Sequence, residues 1–110
     1  MEFTELELVA VSKIGMEMAL ADGVFDQREN DFFTDVMMAF GLTAYDGMRF
    51  GQAASKMSNA EMIKIISSLT EDKKRFVSDF LIRMMHSDGK IDPSEIKLLT
   101  MVSHLCGLPV

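Results

Sequence analysis

The sequence predicts an all-α fold, a compact bundle of about six helices, and three observations predict it. Apolar residues recur at the 3.6-residue spacing of helices with a buried face, and helix start and stop residues punctuate these runs at short intervals. No stretch alternates apolar and polar residues strongly enough to demand a strand. With 110 residues, 48% of them hydrophobic, the chain is expected to form one domain around one core, without a metal or disulfide staple.

The first helix is expected from Glu2 to about Ala21, a segment free of proline and of β-branched clusters. Its apolar residues, among them Leu8, Val9, Val11, Ile14 and Met18, cover more than the usual stripe. Such a helix sits centrally in a bundle or lines a dimer interface. After Asp22-Gly23 a second helix is expected from near Asp26 to Phe40, stopped by Gly41, because glycine accepts the left-handed conformation cheaply just past a last turn. A third is expected over 43–57, begun by Thr43 and weakened by Gly47 and Gly51 at about 1 kcal/mol each relative to alanine. Ser58 with Glu61 signals a capping box, and Met62, Ile65, Ile66 and Leu69 then recur at helical spacing, which predicts a fourth helix over 59–69. Thr70 caps a fifth that runs to Asp88-Gly89. Asp92 caps a sixth, with Pro93 at its first position, that ends at Cys106 before Gly107.

Charge is uneven along the chain. Residues 1–46 hold ten Asp and Glu against Lys13 and Arg28, whereas residues 47–110 hold nine Lys and Arg against seven acids, for a net charge of −6. A surface of that sign repels phosphate backbones, so nucleic acid and anionic membranes are not expected as partners; cations and basic protein surfaces are. A merely solvated acidic surface is the alternative. The single cysteine, Cys106, forms no internal disulfide, and the first residues lack the basic start and apolar run of a signal peptide, which predicts a reducing cytoplasm. Charges interrupt every apolar stretch well short of the roughly 20 residues that span a bilayer, so direct membrane insertion is not expected.

The chain carries a repeat. Displaced by 66 residues, Ala21-Asp22-Gly23-Val24-Phe25-Asp26-Gln27-Arg28-Glu29 falls on Ser87-Asp88-Gly89-Lys90-Ile91-Asp92-Pro93-Ser94-Glu95, and both contain Asp-Gly-x-apolar-Asp-x-x-Glu. At the same offset Val36 falls on Val102 and Phe40-Gly41-Leu42 on Cys106-Gly107-Leu108. Two similar helix–turn–helix units are implied, around 14–43 and 80–109. Helix punctuation explains much of the motif: Gly23 and Gly89 end one helix, Asp26 and Asp92 cap the next, and Glu29 and Glu95 complete capping boxes. It does not explain Asp22 and Asp88, because a carboxylate in a helix's last turn faces the negative end of the dipole. Two compensations stay open. One is local, through hydrogen bonds from turn amides; the other is a bound cation held by Asp22, Asp26 and Glu29 or by Asp88, Asp92 and Glu95. An EF-hand is not expected, since its first and third ligand positions fall on Met84 and His86, or on Met18 and Leu20.

The paired stretches Met18 to Glu29 and Met84 to Glu95 resemble the TerB-like family. That family is named for a bacterial tellurite-resistance protein and is found also at the start of a membrane-anchored DnaJ-type co-chaperone. The resemblance spans about residues 5–109. It implies a helical bundle with pseudo-repeats, candidate divalent-metal ligands at Asp22, Asp26, Glu29, Asp88, Asp92 and Glu95, and membrane-associated stress complexes as the setting. It implies no activity, and tellurite resistance itself does not follow. The chain departs from the family in being shorter and in carrying Leu20 and His86 just before the two motif aspartates.

No catalytic residues are expected. Ser87 near His86 and Ser103 beside His104 lack the glycine frame of a nucleophile elbow, and His86, His104 and Cys106 lack the paired spacing of zinc ligands. The eleven methionines are expected mostly as core filling, with an adaptable docking surface as the other reading. The expected function is therefore a non-catalytic binding module for a protein partner, basic or membrane-associated. No cofactor is required, and a divalent cation such as calcium is the ligand the junctions would take. The alternative is a structural or self-associating bundle, such as a homodimer, with no metal.

Overall fold

The computed structural model describes residues 2–20, 34, 37, 38, 41–86 and 93–109. Among them the chain forms five helices and no strand. Helix α1 spans Glu5–Ala19, and it starts later than the periodicity predicts because Thr4 caps it. The Thr4 hydroxyl accepts from the Glu7 amide at 3.1 Å while the Glu7 carboxylate accepts from the Thr4 amide at 2.8 Å. That reciprocal pair satisfies two otherwise orphaned donors and places the chain before it in extended geometry. Thr43 with Asp46 opens α2 (Ala44–Lys56) in the same way, and Ser58 with Glu61 opens α3 (Asn59–Ser67). The α2 helix runs unbroken through Gly47 and Gly51, its cap and its buried Phe50 and Ala54 outweighing their low propensity. The α3 helix stops two residues short of the predicted end, where Ser68 closes it. Helix α4 (Glu71–His86) follows Thr70, whose hydroxyl accepts from the Lys73 amide at 3.3 Å, and α5 spans Pro93–Cys106.

The expected second helix, Asp26 to Phe40, lies mostly outside the described residues; Thr34, Met37 and Met38 are helical. Its predicted stop is observed. Gly41 takes φ +78°, its amide donates to the Met38 carbonyl at 2.9 Å, and the Leu42 amide donates to the Met37 carbonyl at 3.3 Å. The end of α5 has the same design, with Gly107 at φ +68° and the Leu108 amide on the Ser103 carbonyl at 3.0 Å. Only glycine enters this left-handed turn without strain.

The broad apolar surface of α1 is explained by its position. It packs against α2, α3, α4 and α5, and Val9, Ala10, Val11, Ile14 and Met18 are all buried within this one chain. The Cα radius of gyration, 12.7 Å, matches the roughly 13 Å expected for a single domain of this length. Two polar links hold the N-terminal end of α1. Glu7 meets Lys73 of α4 at 2.8 Å, and Glu5 pairs with Arg49 of α2. The Lys73 ammonium also lies 5.3 Å from the centre of the Phe3 ring, which packs on Phe76 at 5.4 Å.

Described residues also correspond at the 66-residue offset well before the acidic motif. Thr4 and Thr70 are both caps, and Glu5 and Glu71 are the first residues of α1 and α4. Val11 and Val77, Ser12 and Ser78, Ile14 and Phe80, and Met18 and Met84 are buried in pairs. Leu20 and His86 are both exposed.

Candidate functional site

The acidic junctions are the candidate site. Asp22, Asp26, Glu29, Asp88 and Asp92 lie outside the described residues, and so do the Gly23 and Gly89 turns. Glu95 is described, and it stands in the first turn of α5, two residues after Pro93. It is 2% exposed. A solvated acidic surface therefore does not account for this residue, because a carboxylate withdrawn from water is retained only where hydrogen bonds or opposite charge replace its hydration. Its location near a helix N-terminus suits a negative charge. Met84, which is fully buried, and the exposed His86 form the α4 side of this junction, and Met18 and Leu20 form the α1 side of the other. Among the described residues, no group of three or more His, Cys, Asp or Glu side chains is gathered to hold a metal.

The remaining candidate chemistry separates in space. The Ser103 hydroxyl donates to the Leu99 carbonyl at 2.6 Å, within its own helix, and the adjacent His104 is exposed. Cys106 is buried with its sulfur 4.0 Å from the Ile63 carbonyl oxygen. Burial pushes its thiol above the ordinary value, against a smaller opposing effect of the Lys74 ammonium, so it is not an activated thiolate. Two open grooves mark the described surface, one lined by Asp72, Arg75, Phe76 and Asp79, the other by Leu99, Thr100, Ser103, His104, Gly107 and Leu108.

The best-defined electrostatic feature is Glu7, which periodicity alone does not single out. Burial raises its carboxyl, but the hydrogen bond and charge of Lys73 together with the Thr4 amide outweigh that effect and hold it below the ordinary value. The Thr4-x-x-Glu7 spacing was the available signal for the cap; the ion pair to a helix 66 residues away had none. Asp46 is likewise held low, first by the Thr43 amide and hydroxyl and then by Arg49.

Exposed apolar side chains form a second candidate surface. Tyr45 and Met48 lie three residues apart on α2, 67% and 57% exposed, and Met101 and Leu105 lie one turn apart on α5, 52% and 50% exposed. Spacings of three and four residues place each pair on one side of its helix.

The fold as a whole has a counterpart. It is similar to the crystal structure of a protein of unknown function from Porphyromonas gingivalis W83, with a TM-score of 0.87 and 33% sequence identity over 100% of this chain and 89% of that one. The chain belongs to the same family as that protein. No family model and no curated protein matches the sequence. Among the described residues no helix is long and apolar enough to cross a membrane.

Proposed function

We propose that the chain is a TerB-like, non-catalytic binding module of the cytoplasm that docks a protein partner, basic or membrane-associated, through its exposed apolar and acidic surfaces. In this reading the bundle has six helices arranged as two pseudo-repeated units, with a divalent cation such as calcium at Asp22, Asp26 and Glu29 and at Asp88, Asp92 and Glu95. The pairing of Gly41 with Gly107 supports the two units, and Thr4 with Thr70 and Ser12 with Ser78 continue the same offset ahead of them. The burial of Glu95 supports a ligand-like environment at the second junction, since the capping-box acids Glu7, Asp46 and Glu61 all keep some exposure.

The observation that carries partner docking is the pair of apolar outcrops, Tyr45 with Met48 and Met101 with Leu105, each side chain at least half exposed and each pair grouped on one side of its helix. Single exposed hydrophobes are ordinary, whereas grouped ones mark contact surfaces. The same outcrops suit the second reading, a self-associating bundle in which they meet across two copies. The immobilised chain, exposed to an extract of its native cells, should retain a protein that Tyr45→Ser/Met48→Ser or Met101→Ser/Leu105→Ser no longer retains, each variant keeping its helical circular dichroism. Retention unchanged in both variants would sink the docking reading. Sedimentation as a dimer that these substitutions dissolve would install the self-associating one.

A further inference from the structure

We infer that Met38, Met48 and Met101 are oxidant-modification sites, converted to methionine sulfoxide by a peroxide while the fold persists. The inference does not depend on partner docking. Its basis is how the structure distributes thioethers. Met37 and Met38 are neighbours in sequence and opposites in exposure, at 6% and 63%. Met48 and Met101 are exposed on α2 and α5, whereas Met18, Met57, Met62, Met84 and Met85 are buried in the core. Susceptibility of sulfur to oxidants follows access, so the described methionines divide into a reactive surface set and a protected core set, with the partly buried Met16 between them.

The chemistry balances with hydrogen peroxide as oxidant. A sulfur lone pair attacks one peroxide oxygen, the S–O bond forms as the O–O bond breaks, and the departing hydroxide takes up a proton to leave as water. The sulfur loses two electrons and the peroxide gains them. The product is polar, and its placement has a consequence. Met48 is one turn from Tyr45 and Met101 one turn from Leu105, so each apolar outcrop carries one oxidisable member, and oxidation makes both outcrops more hydrophilic. A sulfoxide in the core would instead disrupt packing around Ile14 and Phe80, which the burial of Met18 and Met84 guards against.

The test is a timed exposure of the full chain to hydrogen peroxide, with peptide mass spectrometry after quenching and circular dichroism alongside. Among the described methionines the first three oxygen atoms, about 48 Da, should fall on Met38, Met48 and Met101, at least about tenfold faster than on Met37, Met62 or Met84, with the helical signal unchanged. In denaturant the difference should vanish. In the Met38→Leu/Met48→Leu/Met101→Leu variant the other described methionines should take up almost no oxygen over the same interval, and should this variant fail to fold, the wild-type peptide map decides alone. Oxidation of Met37 as fast as Met38, of Met84 as fast as Met48, or loss of helicity by the third oxygen would overturn the inference.

Discussion

Ser12 and Ser78 are corresponding residues with opposite circumstances, and replacing each by alanine should move stability in opposite directions. Both are buried in the middle of a helix, Ser12 in α1 and Ser78 in α4. The Ser78 hydroxyl donates to the Pro109 carbonyl at 3.1 Å, whereas the Ser12 hydroxyl finds no hydrogen-bond partner among the described residues. A buried hydroxyl without a partner costs about 1–3 kcal/mol in lost hydration, and alanine improves helix propensity by roughly 0.5 kcal/mol. Ser12→Ala should therefore stabilise the chain by about 1 kcal/mol. Ser78→Ala gains the same propensity but loses a hydrogen bond worth about 1 kcal/mol, and the small remaining void adds to the loss. It should come out destabilising by about 0.5–1 kcal/mol. At about 4 °C per kcal/mol for a domain of this size, the two variants should melt roughly 6–8 °C apart. Thermal scans followed by far-ultraviolet circular dichroism, checked by urea titration, measure the difference. Two shifts of the same sign and size would refute the reasoning, because they would mean that both hydroxyls are equally satisfied.

Three further outcomes are expected. Ile14→Ala, at the centre of α1, should cost about 2–5 kcal/mol and Leu6→Ala, on the exposed side of the same helix, under about 0.5 kcal/mol, read from urea midpoints; equal costs would displace α1 from the core. The Glu7 carboxyl is held below its unfolded value, so its contribution is present above the unfolded pKa of about 4.3 and is lost as pH falls through the folded value; Glu7→Gln should therefore flatten the acid side of the stability–pH curve, and an unchanged curve would dismiss the Lys73 pairing as a stabilising contact. Gly107→Ala should lose about 1 kcal/mol, because φ is +68° there, while the added Cβ would make only ordinary contact, 3.5 Å from the Lys74 ammonium nitrogen; a gain in stability would contradict that backbone geometry.

What could be read from the sequence was local punctuation. Ser58 with Glu61, Thr43, Thr70, Gly41 and Gly107 each mark a boundary through hydrogen bonds made within a few residues, Pro93 marks one through its fixed φ and missing N–H, and the structure uses all of them. Thr4 with Glu7 was equally local, and the expected start at Glu2 overlooked it because apolar periodicity carries no sharp edge. The central place of α1 was half legible: its wide apolar surface announced partners on several sides, but whether they came from the same chain required the packing of α2 to α5. Long-range pairs such as Glu7 with Lys73 and Glu5 with Arg49 left no trace in the sequence, since nothing in a residue's neighbours specifies a partner on another helix. The acidic motif was legible as a pattern and ambiguous as chemistry. Of its six carboxylates only Glu95 lies among the described residues, and its burial shows that it is not part of a solvated acidic surface.

The account turns on whether the doubled acidic junction holds a ligand or only turns two corners. A melting scan of the metal-free chain, with and without millimolar calcium, on the wild type and on Asp22→Asn/Asp88→Asn decides it, since a ligand that prefers the folded state raises apparent stability by mass action. The account predicts a calcium-dependent rise of the wild-type midpoint that the substitutions abolish. A midpoint indifferent to calcium in both proteins would contradict it and leave the junctions as capped helix corners.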